Sequence, residues 1–405
     1  MKLGLTDQVI NTNETDKKAF VVHGNRLREL PEGLVSFVPK QLRPLLRSGL
    51  FSWSGLMRMG LEVVVPRGPS ESDQSVAVFF RRRFGAQVFE RLLEPLLAGI
   101  YAGDAEQMSL KATFPRFLEL EQQHGSIIRG MIAAKKTPSA TVNGPKRTIF
   151  VSLKNGLGDL VTVLTARLAQ QGVELRLGCR VDAVRVRSHQ PGRWIYDVIL
   201  NDSSALSAEG LVLATPAYVS AELVRPLTPI AGGLLEMIPY ASTATISMAF
   251  PADTVAGVVE GFGFIVPRVE GRDLIAATWS SLKWPYRAPA DQVLVRCYVG
   301  GVGRESILQL DDDHLVARVR AELSTLCGLT AAPDYIEVNR WWKAMPQYIL
   351  GHLERLVQLD ASLSRYGGLV LTGAGYRGVG IPDCIHDGAV AAGRVVRDLS
   401  GKTAS

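Results

Sequence analysis

The chain has 405 residues, 47% of them apolar and 21% charged, which is enough for a large core in two or three lobes and excludes an intrinsically disordered protein. Its net charge of +6 comes from 45 basic and 39 acidic side chains, and no basic run is joined to a nucleic-acid-binding motif, so nucleic acid is not an expected partner. Cys179, Cys297, Cys327 and Cys384 form no C-x-x-C pair and have no histidine at ligand spacing, which argues against a metal site and for a reduced, cytoplasmic chain.

Residues 19–30, AFVVHGNRLREL, predict two short strands about a His-Gly-Asn turn. From about Leu34 to Ile132 the pattern is helical, with apolar residues at i, i+3 and i+4 in SVAVFFRRRFGAQVFERLLEPLLAGI. Arginines mix with Leu, Phe, Trp and Met in RLREL, PKQLRPLLRSGLFSWSGLMRMG and FFRRRFG. Three settings fit: an anionic membrane surface, a grip on an acidic ligand, or solvated helix faces whose arginine stems cover apolar surface. AAKKTPSATVNGPKR (133–147) reads as a linker.

GLGDLVTVLTARLAQQG (156–172) predicts an amphipathic helix with Leu160, Val163, Leu164, Arg167 and Leu168 along one side, closed by Gly172. VELRLGCRV (173–181) alternates like a strand, a polar hairpin follows, and GLVLATPAY (210–218) predicts a buried strand running into a Thr-Pro turn. That order belongs to an α/β domain. STATISMAF, GFGFIVPR, LIAATWSS and VLVRCYVGG, between 242 and 301, predict an antiparallel sheet. DDDHLVARVRAELSTLCG (311–328) predicts a helix with an acidic start, as the helix dipole favours. IEVNRWW and GGLVLTG are further strands, and a helix follows Pro382. No apolar h-region opens the chain and no uncharged run is long enough to span a bilayer.

Residues 373–378, GAGYRG, satisfy G-x-G-x-x-G after an apolar run. A dinucleotide fingerprint needs a second parallel strand and an acidic ribose ligand about 20 residues on, yet only residues 379–405 remain. The match is coincidental as a Rossmann fingerprint. What stands is a glycine loop, with Gly378 and Gly380, running into a helix start at Pro382 and Asp383. That is either an anion or ring-edge site or a plain glycine turn.

GAGYRGVGIPDCIHDG (373–388) resembles the C-terminal flavin motif of the oxygen-dependent porphyrinogen oxidases, the protoporphyrinogen and coproporphyrinogen III oxidases of haem synthesis. LRELPEGL (27–34), residues 92–121, HGSIIRG (124–130), FVSLKNGLGDL (150–160), LVLATPAY (211–218) and TWSSLKWPYRAP (278–289) resemble the same family, so the likeness runs along nearly the whole chain. It implies an FAD-linked oxidase fold of mixed α/β and α+β class, like that of p-hydroxybenzoate hydroxylase and the amine oxidases. Residues 1–33 and 218–337 would form the substrate-binding sheet domain and 34–146 a helical lobe suited to a membrane surface. Residues 147–217 and 338–405 would form a discontinuous FAD domain.

The implied reaction is a six-electron, FAD-dependent oxidation of a porphyrinogen by dioxygen, releasing hydrogen peroxide. By resemblance, Gly378, Val379, Gly380, Ile381, Pro382 and Asp383 lie along the flavin, and Val181 meets its adenine or is simply core. Arg28 pairs with a substrate propionate, Gly99 lies near the reacting face, and Phe264, with Phe262 and Ile265, lines an apolar slot. An arginine suits a propionate because its planar fork binds a carboxylate bidentately. The family needs no acid–base pair or metal, and none is evident. Implied partners are the porphyrinogen, dioxygen and neighbouring haem-pathway enzymes such as ferrochelatase, with the protein cytoplasmic or peripheral at the inner face of the cell membrane.

Family members begin with a βαβ unit carrying a genuine G-x-G-x-x-G, and MKLGLTDQVI matches a point beyond it. The FAD domain is therefore expected to be incomplete, with LVLATP and GGLVLTG short of strand neighbours. The leading expectation is an upstream continuation through a misassigned start or a fragmented gene. A decayed remnant, a non-catalytic porphyrin-binding or haem-pathway partner, and a flavin oxidase of amines or carotenoids are the alternatives.

Overall fold

A computed structural model describes residues 3–15, 17–30, 48–69, 72–136, 147–148, 150–190 and 193–400. The first strands are β1 (Val9–Asn11), β2 (Phe20–His23) and β3 (Arg26–Glu29). The helices α1 (Trp53–Gly60), α2 (Val76–Phe84), α3 (Glu94–Tyr101), α4 (Pro115–His124) and α5 (Ile127–Lys136) follow. Next come β4 (Val151–Leu153), α6 (Gly158–Gln170), the meander β5 (Val181–Gln190), β6 (Arg193–Leu200) and β7 (Ala205–Ala208), then β8 (Leu211–Leu213). After α7 (Ala217–Val224) and α8 (Pro229–Glu236) run β9 (Tyr240–Pro251), β10 (Gly263–Ile265), β11 (Leu274–Trp279) and β12 (Gln292–Gly300). The chain continues through α9 (Asp312–Cys327), β13 (Tyr335–Pro346), α10 (His352–Leu363), β14 (Leu369–Leu371) and α11 (Ile381–Leu399).

One sheet organises the molecule, in the order β13-β9-β12-β11-β10-β2-β3 among the described residues. Alternation decides its faces: Ala244, Ile246, Met248 and Phe250 of β9 and Val295, Cys297 and Val299 of β12 are buried together. α9 completes that core with Leu315, Val319 and Leu323, spaced at i and i+4. Asp311 caps this helix, its side chain accepting from the His314 N–H at 2.9 Å. The pairing is antiparallel except between β10 and β2, which run parallel (Phe264 beside Phe20). The four strands expected between 242 and 301 pair antiparallel, and the parallel contact arises where the N-terminal hairpin enters beside a strand distant in sequence. The expected domain division at 337/338 falls inside β13, which stays paired with β9 to Pro346.

The helical lobe has its own core, from Phe79, Phe80, Phe89, Leu92 and Leu93. FFRRRFG does not place its arginines on an open basic face. Arg83 is fully buried, its Nε donating to Glu62 at 2.8 Å, and its guanidinium also lies 3.3 Å from Glu121. Arg82 pairs with Glu121 at 2.8 Å and Arg81 with Glu106. Carboxylates the local pattern could not reveal neutralise all three. α5 continues to Lys136 into the expected linker, whose stretch 137–146 lies outside the described residues.

The third core holds Tyr196, Ala217, Leu235, Leu356, Leu369 and Leu371. Here β8 and β14 pair in parallel, Leu211 beside Leu369 to Leu213 beside Leu371, and among the described residues they form a two-stranded sheet. The strand expected over 173–181 is absent until Val181. Val173, Leu175 and Leu177 are exposed, Leu177 at 92%, because no described strand offers them a ladder. α6 forms as expected, but none of its residues is buried.

Candidate functional site

Two features stand out: a cavity against the β11, β10 and β2 strands of the large sheet and the glycine loop before α11. The cavity holds about 650 Å³, within the range of small-molecule sites. Phe20 of β2, Leu96 of α3, Phe262, Phe264 and Ile265 form its apolar wall, and Arg147, Lys17 and Lys283 bring positive charge to it. Phe264 is buried and meets Trp279 edge-on, ring centroids 5.8 Å apart. Gly263 makes this wall possible. At φ +118 it lies so close to β11 that a Cβ would sit 2.0 Å from the Ala277 carbonyl oxygen.

The glycine loop leaves the carboxyl end of β14 beside that of β8, where parallel sheets place ligands. Thr372 Oγ1 donates to Asp387 at 2.7 Å and the Gly373 N–H at 3.2 Å, tying the strand end to α11. Tyr348 then pins the loop: its hydroxyl donates to the Ala374 carbonyl at 2.7 Å and accepts from the Gly378 N–H at 2.8 Å. Burial pushes that phenol well above its usual range, so it stays protonated and can donate.

Behind it His352 stacks on the Tyr348 ring at 4.1 Å and donates from Nε2 to the Tyr376 carbonyl at 2.8 Å. Desolvation lowers the imidazole pKa, and its Nδ1 is buried without a partner among the described residues. The ring is therefore neutral, with its proton on Nε2.

Gly378, at φ +142, closes against the helix start: a Cβ there would come 2.4 Å from the Asp383 Cβ. Gly380 is the N-cap of α11 and supplies no side-chain cap, while Ile381, Pro382 and Asp383 are exposed. The first N–H groups of this 19-residue helix have no side-chain cap at the N-cap position.

α3 links the two features. Leu96 lines the cavity, and Tyr101, at the helix end, has its phenol pKa raised by burial and by the carboxylate of Asp383. The Gln347 side chain donates to the Tyr101 carbonyl at 2.9 Å and so holds this end in place.

The expected site residues fall in three places. Phe264 lies in the cavity wall, and Gly378, Val379, Gly380, Ile381, Pro382 and Asp383 form the loop and helix start. Val181 is half-buried at the start of β5, beside Leu200 of β6. Arg28, on β3, is absent from the cavity lining and lies against Gly49, its Nε buried without a partner among the described residues. Gly99 is exposed, with open space where a Cβ would go. Sequence reasoning missed Lys283, Tyr348 and His352. The signal for Lys283 was a lone lysine between Leu282 and Trp284; for the other two, long-range packing, there was none.

Residues 1–396 match the family described as flavin containing amine oxidoreductase. The coproporphyrinogen III oxidase of Bacillus subtilis (strain 168) is 35% identical over 391 residues, 96% of this chain and 81% of the relative. The chloroplastic protoporphyrinogen oxidase of Nicotiana tabacum is 30% identical, over 98% of this chain and 74% of that one. The crystal structure described as a protoporphyrinogen oxidase from Exiguobacterium sp. 255-15 superposes with a TM-score of 0.82 at 29% identity, covering 98% of this chain and 83% of that one.

Proposed function

The chain belongs to the porphyrinogen oxidases among the flavin-containing amine oxidoreductases, and from that premise we propose that it oxidises coproporphyrinogen III to coproporphyrin III in haem synthesis. The observation that carries this reading is the cavity, an apolar slot with cations in its lining. The slot suits a flat macrocycle and the cations suit peripheral carboxylates. The substrate loses six electrons and six protons, and three dioxygen molecules take them up as three hydrogen peroxide.

The residues present fit one side of FAD. The uncapped start of α11, the close loop Gly378–Gly380 and the paired carboxyl ends of β8 and β14 open on one edge, as a ring edge or phosphate needs. FAD bound there supplies the two-electron acceptor. Tyr348 and His352 keep the loop in register, and Phe262, Phe264 and Ile265 exclude water from the slot. Exposed Trp53, Met57, Leu61 and Val64 along α1 and the following turn support peripheral contact with a membrane surface. Among the described residues no helix is long and apolar enough to cross one.

The purified chain should carry a flavin spectrum and turn coproporphyrinogen III into a fluorescent porphyrin with three peroxides each. Flavin without turnover of either porphyrinogen would overturn the reading in favour of another flavin oxidase. The two-strand β8–β14 sheet favours one second reading, a porphyrin-binding partner without turnover, identified by porphyrin binding with no flavin.

A further inference from the structure

The cavity holds a cation that its surroundings do not neutralise. Lys283 ends the single helical turn Ser280–Lys283 that follows β11. Its Nζ lies 5.1 Å from the Phe150 ring centroid, 5.8 Å from that of Trp284 and 6.0 Å from that of Phe262. No side-chain acceptor among the described residues pairs with it. Lys17, in the same lining, is already answered by Glu14 at 3.9 Å, and Arg147 is exposed.

The turn that carries this lysine is also anchored. The Lys283 carbonyl accepts from the Asn13 N–H at 2.9 Å, which joins this turn to the segment of Thr12 and Glu14 in the cavity lining. Aromatic faces offset part of the cost of a half-buried ammonium, but not all. Burial lowers the pKa of this lysine. A desolvated, positioned, unpaired cation in an apolar slot is poised for an anion that arrives with the ligand.

We propose that Lys283 is the specificity-determining residue of this cavity, its ammonium binding a peripheral carboxylate of the tetrapyrrole and so setting the orientation of the macrocycle. The inference rests on the reading that the cavity takes a porphyrinogen. Lys283 is a positioning residue: it transfers no proton or electron and acts by binding. It favours tetrapyrroles rich in acid side chains over those whose edges are alkyl or esterified.

The test uses coproporphyrin III, the oxidised product, and its tetramethyl ester, which keeps the ring and removes the charges. Dissociation constants for both are measured by tryptophan quenching on the unmodified chain, K283M and K283R. The ester should bind the unmodified chain and K283M alike. The acid should bind K283M roughly tenfold or more weakly, as loss of a charge-assisted hydrogen bond implies, and K283R should restore it. A merely structural role for Lys283 would move acid and ester together.

An unchanged acid affinity in K283M overturns the proposal while porphyrin binding, and with it the functional reading, survives. Failure of the unmodified chain to bind either compound removes both. A second measurement needs no variant: coproporphyrin III should protect Lys283 from reductive methylation, read by mass spectrometry. Equal labelling of Lys283 with and without bound porphyrin also overturns the proposal.

Discussion

Glu62 shows how much one side chain can organise. Fully buried, it accepts from Arg83, from the Ser126 hydroxyl and from the N–H groups of Ile127 and Ile128 at 2.8 and 3.3 Å. One carboxylate thus neutralises a buried arginine and caps α5. Glu62→Gln should cost about 1–3 kcal/mol, the usual penalty for weakening buried charged hydrogen bonds, since Glu121 still faces Arg83 at 3.3 Å, read as a lower urea midpoint.

His352 carries a pH signature. Its folded pKa is lowered from 6.5, chiefly by burial, with Arg355 and Arg377 adding to the shift and the Tyr376 carbonyl and Asp73 opposing it. Below 6.5 the unfolded chain takes a proton that the folded chain refuses. Stability should therefore fall as pH drops from about 6.5 through the lowered folded value, then level off. The melting temperature of His352→Gln should lack that part of the slope between pH 7 and 5.

Among the elements, α6 and the two-stranded sheet stand apart from the rest. The periodicity of α6 is real, yet the helix buries none of its residues, and helices owe most of their stability to packing an apolar face. Amide exchange in Gly158–Gln170 and in 171–180 should be faster by orders of magnitude than in β9 and β12, read by mass spectrometry. Slow exchange throughout α6 would contradict this. The two strands of the β8–β14 pair should also respond differently. Leu371 is buried and Val212 is 42% exposed, so Leu371→Ala should cost about 2–5 kcal/mol, while Val212→Thr should stay within about 0.5 kcal/mol.

At the scale of the whole molecule, two sets of apolar residues are exposed: Val161 and Leu164 of α6 with Leu175 and Leu177 after it, and Ile381, Ile385, Val390 and Val396 along α11. Exposed apolar side chains clustered on one element are a common basis for association. The chain should bind an apolar fluorescent dye and show concentration-dependent association in sedimentation. Flavin addition should reduce both if the glycine loop takes FAD as proposed.

The sequence by itself determined what local periodicity and short motifs encode: the helical region before residue 132, the helices α6, α9 and α11, the strands of the large sheet, the porphyrinogen-oxidase resemblance and the glycine loop; α7, α8 and α10 were not read from it. Alternation and i, i+4 spacing are properties of neighbouring residues, so β9, β12 and α9 were legible without their partners. The tertiary structure alone decided what depends on residues far apart in the chain. It paired β10 with β2 in parallel, turned FFRRRFG inward onto Glu62 and Glu121, and left VELRLGCRV without a ladder. It also set Lys283 among Phe150, Phe262 and Trp284 and Tyr348 against Gly378. Burial and charge pairing are sums over the whole fold, and no window of sequence contains them.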